Sequence, residues 1–354
     1  MKFFFCIFCI ILFISKTENV FSENLIYDVN NVQVKGKINN SFRSRKIIES
    51  AFQKAFVIFV DKTLLRQDAI SLHRTESQII KDLVLGYQII KKEKNKKNDS
   101  FSTLNIKFDP KKINNFLAKR GISYADISNI SVTILPVLVK EKNILLYGEN
   151  FFYKNWVELV DTEKSRSDKL INYNMALENI EDLEYINKIK EQIDSISIRE
   201  INSFNDDGNN VLLILYSTGK KFKAFIKTSI KNKKIDRNMD LNFYPKDEDR
   251  SYKEAIVTLK NEINQIWKEQ NLIDVNTPSF LDFFLETKKI DDYLKFKSIL
   301  NTIDVIENYS VLEMTKDYSK IRLKYRGKVN KIKEKLIEKG IKVQIINNVW
   351  KLII

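Results

Sequence analysis

Hydrophobic and polar positions alternate along this chain in two periods, and the switches between them outline a series of small sheet-and-helix units. Leu25 to Lys37 alternates as a strand does. From Ser41 to Leu65, Ile47, Ile48, Ala51, Ala55, Phe56 and Phe59 recur at helical spacing and predict an amphipathic helix. Ser77 to Leu83 predicts a further helix, followed by strands over Val84 to Lys92 and Phe101 to Phe108 around a charged loop. Asp109 and Pro110 open a helix through Leu117 that Gly121 ends, because proline suits a first helical turn. Strands at Ser131 to Val139 and Asn143 to Tyr147, covered by Phe151 to Trp156, close a β-α-α-β-β-α-β-β unit.

The polar stretch Asp161 to Asp168 marks a boundary. Beyond it the pattern predicts a helix over Ile180 to Ile193 and a meander of strands at Ser197 to Phe204, Val211 to Tyr216 and Phe222 to Ile230. Asp207-Gly208 and Thr218-Gly219 supply its turns. Arg250 to Gln270 then places Ala255, Ile256, Leu259, Ile263, Ile266 and Trp267 on one helical face.

The last segment reads as strand Phe280 to Glu286, helix Ile290 to Leu300, strands Val305 to Met314 and Lys320 to Tyr325, helix Val329 to Lys339 and strand Ile341 to Ile346. That is a ferredoxin-like βαββαβ order, with a hairpin through Asn347-Asn348 returning Val349 to Ile354 to the sheet. The fold class is therefore α+β, in tandem small domains at 23–162, 163–274 and 275–354.

Residues 1–22 read differently. Lys2 precedes an apolar run from Phe3 to Ile14 that holds both cysteines, Cys6 and Cys9, and Val20 and Ser22 provide the small residues of a cleavage site. This is the layout of a secretory signal peptide cut after Ser22, which places the mature chain in the periplasm. The apolar core, about 12 residues, is short of the ~18 a membrane-spanning helix needs, which argues against a retained anchor. Cleavage leaves no cysteine and only His73, so thiol catalysis, disulfides and Cys/His metal sites are excluded from the expected mature protein.

The net charge of +14 invites a polyanion, but Arg supplies only 11 of the 60 basic residues, and nucleic-acid sites lean on arginine. The basic stretches Lys91 to Lys97 and Lys231 to Arg237 read as solvated loops.

Candidate chemistry is sparse. Gly219-Lys220 lacks the upstream glycine of a phosphate-binding loop, Ile214 standing in its place. Ser217 and Lys220 fit Ser-x-x-Lys but fall in a predicted β-turn, which lacks the helical geometry that pair needs. Asp206 and Asp207, with Asn205, Asn209 and Asn210, cluster oxygens without the pattern of a calcium loop. His73 has Asp68 and Glu76 nearby but no evident nucleophile. Asp247, Asp249, Asp291 and Asp292 suit helix starts, and Trp156, Trp267 and Trp350 fall on faces expected to be buried.

Ala51-Phe52-Gln53-Lys54-Ala55-Phe56, the strand Leu104 to Asp109, the helix Ile113 to Gly121 and the apolar strand Ile134 to Val139 together resemble the proteobacterial exported proteins grouped as domain of unknown function 2066. The likeness covers residues 25 to 160 best and rests on packing motifs. It departs from the family at Ser128 to Thr133, where an Arg-Pro pair would be expected. It implies export and no particular chemistry.

The sequence thus predicts a non-catalytic binding or assembly module of the cell envelope. No catalytic, cofactor-binding or metal-ligating residue is assigned, no cofactor is called for, and the expected partner is another envelope protein, with no nucleic acid and no transmembrane span. The alternatives are a hydrolase using carboxylates or the Ser217–Lys220 pair, and a polyanion-binding module.

Overall fold

The computed structural model describes residues 25–36, 42–94, 100–125, 130–141, 143–157, 171–206, 208–274, 278–287, 289–347 and 349–354. The expected leader, Asp161 to Asp168, Asn95 to Lys97 and Asp207 lie outside the described residues.

Strand β1 (Asp28–Lys35) precedes helices α1 (Phe42–Thr63), α2 (Arg66–Leu72) and α3 (Ser77–Leu83) and strands β2 (Val84–Lys94) and β3 (Ser100–Phe108). The strands form an antiparallel sheet in the order β1-β3-β2. Helix α1 lies on one face because Ala51, Ala55, Phe56, Phe59 and Val60 share one side of it, and all are buried. Helix α4 (Pro110–Ala118) begins where Asp109 accepts hydrogen bonds from the backbone N–H groups of Lys111 and Lys112 and stops at Gly121, whose φ of 65° suits glycine.

A six-stranded sheet follows. Strand β4 (Tyr124–Ala125) leads to β5 (Ile130–Lys140), β6 (Asn143–Leu145), α5 (Phe151–Asn155), β7 (Ile171–Met175) and α6 (Ile180–Lys188). Then come β8 (Asn210–Ser217), β9 (Phe222–Ile230), β10 (Lys233–Leu241), α7 (Glu248–Gln270) and β11 (Leu272–Ile273), which pairs with β4. The sheet order is β10-β9-β8-β5-β6, with β7 also on β5. Strands β5 and β8 are parallel, with Ile134 beside Val211 and Leu138 beside Leu215.

This sheet crosses the expected boundary at 162/163. Strands from both sides of it hydrogen-bond to one another, and one hydrophobic core runs from Ile26 to Ile273, so 23–162 and 163–274 share the six-stranded sheet. Both faces are covered. Val211, Leu213 and Leu215 face the core built with α1 and α7, while Leu212 and Ile214 meet Ile186, Ile193, Ile196 and Ile198 on the other side. Burial on both faces explains the unbroken apolar run in β8.

Pro136 interrupts β5 where its outer edge has no strand beside it, between β7 alongside Ile130 to Ile134 and β6 alongside Leu138 to Lys140. A strand residue directs its N–H and C=O to the same edge, and the Pro136 carbonyl accepts from Asn150 Nδ2 at 2.8 Å. The missing N–H of proline therefore faces this gap, where no ladder partner waits. Buried Asn150 also donates to the Leu145 carbonyl at 3.0 Å and caps α5 by accepting from Phe152 N at 2.8 Å.

Three expectations need correction. Ser197 to Phe204 is not a strand: Ile198–Glu200 is a 3-10 turn closed by a Ser197–Glu200 capping box, which satisfies the backbone locally. The third meander strand is β10, so Lys231 to Arg237 is a turn at Lys231-Asn232 running into a strand. The helix expected to reach Ile193 ends at Lys188, and a 3-10 segment, Lys190–Ser195, follows.

The C-terminal unit has its own core. It comprises β12 (Ser279–Glu286), α8 (Ile290–Thr302), β13 (Ile306–Met314), β14 (Tyr318–Tyr325), α9 (Val329–Glu338), β15 (Lys342–Ile346) and β16 (Val349–Ile353). Its sheet runs β13-β14-β12-β16-β15. The final strand inserts parallel to β12 and displaces β15 to the edge. Polar contacts join the unit to the rest. Tyr27 Oη donates to Asp304 Oδ2 at 3.4 Å and Arg326 Nη1 to the Asn114 carbonyl at 3.5 Å.

Candidate binding surface

Alternation along β12 and β14 sends two different side-chain sets to the two faces of the C-terminal sheet. Phe283, Leu285, Ile321, Leu323 and Tyr325 point to the helices and are buried with Phe296, Leu300, Ile332 and Leu336. The opposite face carries Phe280, Asp282 and Phe284 on β12, Tyr318, Lys320, Arg322 and Lys324 on β14, and Lys351 on β16. No helix among the described residues covers it, and Phe280 is 61% exposed.

Its side chains are nonetheless ordered by one another. Phe284 meets the Tyr318 ring edge-on at 5.4 Å, and Lys320 Nζ lies 5.7 Å from the Phe284 ring centre. Arg322 grips Asp282 through two hydrogen bonds of 2.7 Å, and this guanidinium holds the Asp282 carboxyl below the usual range.

The adjoining edge is β13, paired on one side only among the described residues. Two register shifts, at Ile306/Asn308 and Val311/Glu313, bend it. Leu312 and Met314 are 45% and 50% exposed. Tyr293 of α8 meets Tyr309 of β13, and next around the helix come Ile290 and Leu294, also exposed. Val311, Leu312 and Met314 thus place exposed apolar side chains along an edge that is unpaired among the described residues.

The residues singled out from sequence fall elsewhere. His73 Nε2 lies 2.7 Å from Asp61 Oδ1, so its carboxylate partner is neither Asp68 nor Glu76. Beside this pair, Lys268 Nζ donates to the Asp61 and Leu64 carbonyls and so closes the end of α1, while burial pushes its pKa down to about 8. Ser217 and Lys220 lie at the β8–β9 turn, where Thr218 N donates to the Lys221 carbonyl and Gly219 has a φ of 71°. Asp247 caps α7, and Asp292 belongs to a capping box at α8. Trp156 and Trp267 are fully buried, and Trp350 is buried in the C-terminal core.

A cleft of about 400 Å³ lies between the 3-10 segment and β9–β10, lined by Ser195, Ser197, Lys227, Thr228, Lys234 and Asp236. Several of its polar groups serve its own walls: Lys227 Nζ donates to the Ile196 carbonyl at 2.8 Å and Thr228 Oγ1 to the Ile235 carbonyl at 3.0 Å. Among the described residues, no group of three or more His, Cys, Asp or Glu side chains could hold a metal ion, and no helix is long and apolar enough to cross a membrane. Comparison of the chain with protein-family models, with curated proteins and with solved structures finds no match.

Proposed function

We propose that this is an exported protein of the cell envelope that acts by binding another protein, as an assembly or scaffolding module. The observation that carries the reading is the C-terminal sheet, where, among the described residues, an uncovered face with exposed Phe280 adjoins an unpaired edge with exposed Leu312 and Met314. Exposed apolar side chains gathered beside free backbone donors and acceptors suit a partner that covers both. Export is supported by the charged and apolar segment from Lys2 to Ile14 and by the resemblance to a family of exported proteins.

Site-specific photo-crosslinking in intact cells tests this. A photoreactive amino acid at Leu312 or Phe280 is expected to capture one or two defined proteins. At Gln33 or Asn105, on the polar outer face of the first sheet, it should capture neither. Equal labelling at all four positions, or none at any, overturns the proposal. Cell fractionation checks the compartment: recovery in the cytoplasm rather than the periplasm overturns export.

A further inference from the structure

We infer that β13 receives an extended segment of the partner as a sixth strand, and that the preferred segment alternates apolar with basic side chains. This rests on the binding reading above and specifies how the same surface is used.

Seven strands of the three large sheets have one side unpaired among the described residues, β1, β2, β6, β7, β10, β13 and β15, and they are not equivalent. Strand β10 carries Lys233, Lys234, Asp236, Arg237 and Asp240, charges that an added strand would have to desolvate. Strand β2 has eleven residues and exposed Leu85, Tyr87 and Ile90, but Tyr87 is taken up edge-on by Phe52 and exposed Lys91 and Lys92 follow Ile90, charges an added strand would again have to desolvate. Strand β15 has only five residues, which limits the ladder it can offer. Strand β13 has nine and includes the exposed apolar residues Val311, Leu312 and Met314.

An added strand places alternate side chains on opposite faces. On the helix side its neighbours are Tyr309, Val311 and Met314, so apolar side chains fit there. On the open side its neighbours are Ser310 and Glu313. Glu307 is already met by Lys324 and Arg326, whereas Glu313, although opposite Lys320 in the ladder, accepts a hydrogen bond from Tyr318 at 2.9 Å and makes no ion pair among the described residues, Lys320 Nζ lying over the Phe284 ring instead. A lysine or arginine on the incoming strand complements Glu313 across the ladder. A second copy of β13 is a poorer occupant. Antiparallel pairing centred on Ser310 would set Glu307 against Glu313, like charges directly opposed.

The test uses the full chain and three labelled nonapeptides: alternating valine and lysine, alternating valine and glutamate, and a scrambled valine–lysine sequence. Fluorescence anisotropy should show the alternating valine–lysine peptide binding at least tenfold more tightly than the other two. Glu313→Lys should reverse the preference toward the glutamate peptide. This reversal cannot arise from loss of folding. Leu312→Lys with Met314→Lys should abolish binding while the unfolding transition stays in place. Indifference to peptide charge and order, or an unchanged preference in Glu313→Lys, overturns strand addition. If the peptides fail while crosslinking from Leu312 still captures a partner, the binding reading stands and only this inference falls. If neither gives a signal, both fall.

Discussion

The two larger sheets of this protein are built from similar strands and end in opposite situations. In the six-stranded sheet β5 and β8 are buried on both faces, so consecutive residues such as Leu213 and Ile214 enter two different cores. In the five-stranded sheet every second residue of β14 enters one core, and Lys320, Arg322 and Lys324 face outward. A sheet enclosed on both sides is a scaffold. One with a bare face and an apolar edge keeps surface available for another molecule, which is why the second carries the functional proposal.

The contrast makes its largest prediction in the cores. Leu213→Ala and Ile214→Ala should each destabilise the protein by about 2–5 kcal/mol, because each leaves a cavity in a packed layer. In β14 only the alternate position should behave so, with Ile321→Ala costly and its neighbour Lys320→Ala nearly silent. Urea unfolding checks this, provided the slope with denaturant is unchanged. A silent Ile214→Ala would mean that the second face of the six-stranded sheet is not packed.

The gap in the enclosed sheet gives the next effect. Asn150→Ala removes a buried side chain that bonds the Pro136 and Leu145 carbonyls and the Phe152 N–H. About 1–3 kcal/mol should be lost through the stranded buried groups. Hydrogen exchange should quicken around β5 and β6 and leave β12 to β16 unchanged.

Lys268 adds a pH dependence on the enclosed side. Its folded pKa of about 8 lies below the ordinary 10.5, so between those values the unfolded chain binds more protons than the folded one. Stability from this group therefore rises as pH climbs from about 8 toward 10.5, and below pH 8 the burial penalty is present in full. The gain should be about 1–3 kcal/mol. Buried Tyr173, whose pKa is raised, resists ionising when folded and opposes the rise above pH 10, so pH 8 to 10 is the window to measure. Unfolding free energies across that window should rise in the natural chain and lose this component in Lys268→Met.

Much of this architecture was legible in residue periodicity, and the exceptions have physical causes. The helix over Ser77 to Leu83, the apolar strand at Ser131 to Val139 and the α7 face all announce themselves through strong, unbroken patterns. Strand β10 was hidden because its charged residues, Lys233, Lys234, Asp236 and Arg237, look like a solvated turn until Ile235 and Met239 are paired against β9. At Ser197 to Phe204 the 3-10 turn Ile198–Glu200 stands where a strand is expected, because the Ser197–Glu200 capping box decides the backbone. The shared sheet is illegible because the parallel β5–β8 pairing joins residues 77 apart, such as Ile134 and Val211, and no local pattern records such a crossover. The candidate surface was hidden for a related reason. In Phe280-Leu281-Asp282-Phe283-Phe284-Leu285 nearly every position is apolar, so only the register with β14 and β16 shows that Phe280 and Phe284 face away from the core.

The smallest predicted effect sharpens the comparison most. Phe280→Ser should change stability by no more than about 0.5 kcal/mol, since the ring is 61% exposed and leaves no cavity. An aromatic residue whose loss the fold barely notices is one that folding does not require. Phe280→Ser should nevertheless weaken capture of the partner by a photoreactive group at Leu312, because an occupant seated on β13 and the open face would lose an apolar contact. Unchanged capture would confine the contact to the edge, and a large loss of stability would instead place Phe280 in the core of the folded unit. The pair of measurements thus separates a face kept for binding from one that is merely uncovered.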